Sequence, residues 1–140
     1  MKRAYYFFKQ TIQKNRLAHL YLISGPKGCG KSQLVDEVAF LILSQNKEDK
    51  THLKQQIEER KVANMMVVEP DGLSIKKDQI LALQAEFSKT ALVDGPRIYV
   101  IKNIEKIGTS AANSLLKFME EPLSYNVFGF LLTDNYEDVL

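Results

Sequence analysis

Residues Gly25-Pro26-Lys27-Gly28-Cys29-Gly30-Lys31-Ser32 fit the pattern G-x-x-x-x-G-K-[ST] at every fixed position. The glycines let successive backbone N–H groups turn inward around phosphate oxygens, and the helix that follows aims its positive end at the same anion. Lys31 would reach the outer phosphates and the Ser32 hydroxyl would ligate magnesium. Cys29 sits at a variable position of the loop, where no redox role is expected. Context makes the pattern specific: a short apolar run, Leu20-Tyr21-Leu22-Ile23-Ser24, precedes it, and Leu34, Val35, Val38, Ala39, Leu41 and Ile42 mark a buried helix after it. A chance glycine-rich turn would have neither neighbour.

The rest of the chain repeats that alternation. Tyr5, Phe8 and Ile12 fall at helical spacing, which predicts an amphipathic helix ending near Arg16. Residues 20–24, 65–68, 97–101 and 127–132 read as strands, the first of them buried on both faces. Ile80, Leu83 and Phe87 predict a helix with Ser74 as its cap. Ala112, Leu115, Leu116 and Met119 predict another, stopped by Pro122. The highly charged residues 45–62 read as a solvated helix or excursion. Strands alternating with helices make an α/β fold, a parallel sheet flanked by helices.

The totals narrow the function classes. The 140 residues suffice for one domain. A net charge of +2 is too mild to argue for nucleic acid on charge alone. One cysteine excludes a disulfide framework, and with only His19 and His52 to add, far apart in sequence, no zinc is expected. No apolar run approaches the roughly 20 residues of a membrane helix, so a cytoplasmic setting without membrane contact is expected.

An ATPase of this type places an acid at the end of a second buried strand to hold magnesium, often followed by a glutamate that activates water. The strand over residues 97–101 ends instead in Lys102-Asn103, a degenerate version of that acid pair. Glu69 and Asp71 are the rivals, since Glu69 also closes a buried strand; the plainer view makes them a polar strand exit and turn.

Two longer patterns carry a resemblance. Asn15-Arg16-Leu17-Ala18-His19-Leu20-Tyr21-Leu22 ahead of the loop, and S-x-x-N-x-L-L-K-x-x-E-E-P over residues 110–122, are similar to the AAA+ clamp-loader subunits of bacterial DNA polymerase III. Phe130-Leu131-Leu132-Thr133-Asp134-Asn135 resembles the strand and sensor-1 region of that family, with Thr133 and Asn135 at the sensor positions. Replacement of the strand-end acids by Lys102 and Asn103 points to the delta-prime type rather than the hydrolysing gamma/tau type. So does the charged segment standing where a zinc module is usual, although many delta-prime subunits keep that module.

The resemblance implies strand order 1-4-3-2, with a fifth strand beyond Leu140 that would lie against residues 20–24 and with lid and collar domains further on. Residues 1–140 would then be an incomplete N-terminal AAA+ domain. It further implies a structural subunit of the polymerase holoenzyme with little or no ATP hydrolysis of its own, and ATP or phosphate in residues 25–32 as the only candidate ligand. Implied partners are the other loader subunits (delta, gamma/tau) and, through the assembly, the sliding clamp and primed DNA. The rival is a working ATPase or nucleotide kinase that uses Glu69 or Asp71 for magnesium.

Overall fold

Each predicted strand forms, and the four pair parallel in one sheet: β1 (Leu20–Ser24), β2 (Met65–Val68), β3 (Arg97–Ile101) and β4 (Val127–Thr133), in the order β1-β4-β3-β2. This computed structural model describes residues 2–45, 49–91, 93–121 and 126–134. Pro122 and Asn135 lie outside them.

Alternation along the strands divides the core into two layers. On one face Ile23, Ile98, Val100, Phe130 and Leu132 pack under α1 (Lys2–Gln13), α2 (Lys31–Leu43) and α3 (Leu53–Glu58). On the other, Val68, Tyr99, Ile101 and Val127 pack under α4 (Lys77–Ser88) and α5 (Thr109–Glu120). The two faces hold separate aromatic groups: Phe8 with Tyr21 and Phe130, and Phe87 with Tyr99 and Phe118.

Several sequence expectations need correction. The first helix stops at Gln13 because Asn15 adopts φ 55°, and the N–H groups of Asn15 and Arg16 fold back onto the carbonyls of Ile12 and Thr11. That is a left-handed C-cap with Asn in the place glycine usually takes. β1 is not buried on both faces: Leu22 is 50% exposed and Leu20 42%. It lies at the sheet edge, where α4 and α5 do not reach across from β2, β3 and β4.

Ser74 does not cap α4, since it pairs with Asp71 in a tight bridge. Gln79 does the anchoring instead: its side chain accepts from the Lys76 N–H at 2.8 Å and donates to the Glu69 carbonyl at 2.6 Å. α5 buries Ala111, Ser114, Leu115 and Phe118, and Leu116 faces outward. Residues 49–62, the described part of the charged stretch beyond residue 45, are less solvated than their composition suggests, because Leu53 and Ile57 of α3 enter the core.

One packing detail fixes the centre of the sheet. Gly129 stands directly across from Tyr99 in the β3–β4 register, and a Cβ there would lie 2.2 Å from the Tyr99 ring. Glycine is what lets that ring cross β4.

Candidate functional site

The loop between β1 and α2 opens at the carboxyl ends of the strands, where open parallel sheets bind ligands. Gly28 and Gly30 take φ 83° and 99°, left-handed values that a side chain would strain. The loop is tied to the neighbouring strand end through the Gly25 N–H, which donates to the Thr133 carbonyl at 3.2 Å. A Cβ on Gly25 would meet Cys29 Sγ at 2.8 Å, so Cys29 packs inside the loop.

A cleft of about 490 Å³ lies against this loop, lined among others by Lys27, Lys31, Ser32, Glu69, Lys102, Asn103 and Asp134. Of the sequence-predicted residues, Lys27, Gly28, Gly30, Lys31, Ser32, Lys102 and Asn103 line it, and Gly25, Pro26 and Cys29 do not. Gly28, Gly30 and Ser32 line it from the loop, and Lys102 and Asn103 line it from the end of β3. Glu69 reaches the cleft as well. Asp71 does not line it; its carboxylate is 3.5 Å from Lys76 in a surface turn. Thr133 is fully buried at the end of β4.

Lys31 is the electrostatic centre. It is only 7% exposed, and a buried ammonium needs all three of its N–H groups satisfied. They are: Nζ donates to the Gly25 carbonyl at 2.6 Å, to the Pro26 carbonyl at 3.0 Å and to Asp134 Oδ1 at 2.9 Å. Cys29 Sγ adds a long contact at 3.9 Å.

Asp134 is the residue the sequence pattern passed over. Its other oxygen accepts from Asn103 Nδ2 at 2.9 Å, and its N–H donates to Glu105 Oε1 at 2.9 Å. The hydrogen bond from Lys31 holds its carboxyl below the ordinary value, against desolvation and helped by Asn103 and the charge of Lys27. Glu105 therefore serves as a prop for the strand end rather than as a second strand-end acid; its Oε2 is buried with no partner among the described residues. An acid directly after a buried strand that pairs with β1 was the one available signal for Asp134.

Asn103 takes φ 56°, a left-handed conformation that Asn tolerates better than most residues. It turns the chain out of β3 and presents its amide to Asp134. His19 packs its ring on Phe128 and contacts the Val127 carbonyl through Nδ1, and Asn113 and Glu120 of the pattern over residues 110–122 are exposed on α5. Among the described residues no three His, Cys, Asp or Glu side chains cluster as a metal site.

The family model for DNA polymerase III, delta subunit, matches residues 1–140. The chain belongs to that family. Within it, the chain is 40% identical over 134 residues to DNA polymerase III subunit delta' of Bacillus subtilis, covering 93% of this chain and 40% of that protein. It is 30% identical over 112 residues to the Pseudomonas aeruginosa subunit of the same name, covering 75% of this chain and 34% of the relative. The chain thus spans about two fifths or less of the curated relatives it matches.

The family's fold extends to solved structures. A Thermotoga maritima protein described as related to the DNA polymerase III gamma subunit superposes with TM-score 0.62 at 15% identity, over 95% of this chain and 41% of that one. The Bacillus subtilis DNA clamp loader delta protein superposes with TM-score 0.55, also at 15% identity, over 93% and 35%. At such identity the likeness is one of fold, and it supports the AAA+ sheet order implied by the resemblance. No helix among the described residues is long and apolar enough to cross a membrane.

Proposed function

We propose that this chain is the nucleotide-fold portion of a structural subunit of the replicative clamp loader, acting in the cytoplasm with little or no ATP hydrolysis of its own. Lys102 and Asn103 line the same cleft as Ser32, at the strand end where hydrolysis requires acids, and they carry this reading. The subunit would work with delta and gamma/tau subunits to place the sliding clamp on primed DNA. ATP or phosphate would sit in residues 25–32, held by the loop's N–H groups, Lys31, Lys27 and Lys102, with the Ser32 hydroxyl as the one remaining magnesium ligand of the motif.

Glu69 supports the rival reading, a magnesium-dependent ATPase or kinase, because it alone of the two rival acids lines the cleft. It stands there beside Lys102, whose ammonium opposes a metal ion. Reconstitution of the loader tests the proposal. Clamp loading on primed DNA should fail when the full-length subunit is omitted and recover when it is added. Equal loading without it would overturn the proposal.

A further inference from the structure

The three N–H groups of Lys31 are all committed, to the Gly25 and Pro26 carbonyls and to Asp134, with Cys29 Sγ as a fourth and longer contact; Asp134 is the one charged acceptor among these and the one outside the loop. A phosphate oxygen that takes the Lys31 ammonium must displace one of these acceptors, and Asp134 is the one it meets as a like charge. We propose that Asp134 determines which anions the loop accepts: its carboxylate competes for Lys31, and a polyphosphate without a divalent metal wins that exchange where a single phosphate does not. The inference deepens the proposed function and rests on residues 25–32 being a phosphate loop.

The charges of the cleft support the competition. Three ammonium groups, of Lys27, Lys31 and Lys102, face two carboxylates, of Glu69 and Asp134. Orthophosphate would exchange one anion for another at Lys31 and gain little. A di- or triphosphate spans further and engages Lys27 or Lys102 as well, so its second phosphate adds attraction that the carboxylate cannot match. Asn103 strengthens the competitor, because its amide fixes the second Asp134 oxygen and holds the carboxylate on Lys31.

Magnesium-free titration of the full chain with pyrophosphate and with orthophosphate, followed by calorimetry, tests this. Wild type should bind pyrophosphate more tightly than orthophosphate. Asp134→Asn keeps an acceptor for Asn103 and removes the competing charge; it should tighten pyrophosphate binding by about tenfold, the lower end for a charged hydrogen bond. Asn103→Ala releases the carboxylate without removing it and should tighten binding by about fivefold. Thermal melts confirm that each variant is folded, so the two substitutions check one another.

Lys31→Met separates the two ideas. If it abolishes pyrophosphate binding while neither Asp134→Asn nor Asn103→Ala tightens it, the loop binds phosphate and the competition is overturned. If wild type and every variant fail to bind either anion, both the competition and the phosphate-loop reading fall.

Discussion

Asp134 Oδ1 lies 2.9 Å from Lys31 Nζ, joining the end of β4 to the first residue of α2 across the mouth of the loop. Lys31 holds the Asp134 carboxyl below its ordinary value, so the pair stabilises the fold fully above about pH 4, the usual aspartate range. That stabilisation is lost as pH falls through the lowered folded-state value. Asp134→Asn should therefore cost about 1–2 kcal/mol at pH 7. The gap to wild type should close in strong acid. Urea unfolding of both proteins between pH 7 and pH 2 measures it; a gap that is constant across this range would show that the carboxylate's charge contributes nothing.

Gly129→Ala places a methyl group into the Tyr99 ring, which sits among Phe87 and Phe118 and cannot retreat freely. Overpacking of this kind costs about 1–3 kcal/mol, and the close approach here argues for the upper end. Thermal denaturation should show a clear drop in Tm, relieved in the double variant Gly129→Ala with Tyr99→Val. No relief would mean that the backbone of β4, not the Tyr99 ring, is what requires glycine.

Strand positions were legible from the sequence because short apolar runs bounded by turns have few other uses. The spans of β2 and β3 match the expectation, and the loop glycines stand where their motif requires. What the sequence lacked was neighbourhood. Leu20 and Leu22 read as buried because nothing in their own run says that β1 is an edge. Leu116 read as core because it follows Leu115, and only the packing of α5 on α4 tells the two apart. Asp134 was missed for the same reason. The register that pairs Ser24 with Thr133 brings the residue after Thr133 beside the loop, and that register is a property of the sheet.

β1 pairs only with β4 among the described residues, and Leu20 and Leu22 stand on its exposed face. An apolar strand with an unpaired edge is a template for another chain. The 140-residue chain should self-associate as its concentration rises, and Leu22→Lys should suppress this by placing a charge on the strand. Sedimentation velocity at several concentrations decides it. A wild type that stays monomeric throughout would mean that the edge is covered.

Magnesium-dependent ATP hydrolysis should be unmeasurable for the wild-type chain. The loop supplies backbone donors, Lys31 and Ser32, and a helix N-terminus favours an anion by roughly 0.3–1 kcal/mol, up to about 2 when partly buried. Hydrolysis asks for more: a metal bridging the outer phosphates and a group that orients water. Lys102 lines the cleft with a charge that opposes the metal, and Asn103 spends its amide on Asp134. Loss of one preorganised electrostatic contributor commonly costs about 10²–10³ in rate, and two are missing here. Lys102→Asp with Asn103→Glu restores the acids, and this double variant should bind ATP with a stronger magnesium dependence than wild type. The exchange at 103 gives up the left-handed preference of Asn, about 1–2 kcal/mol of stability, so a thermal melt must accompany the assay. Wild-type turnover that the double change does not improve would show that the strand-end residues do not limit hydrolysis, and Glu69 would become the metal ligand to test.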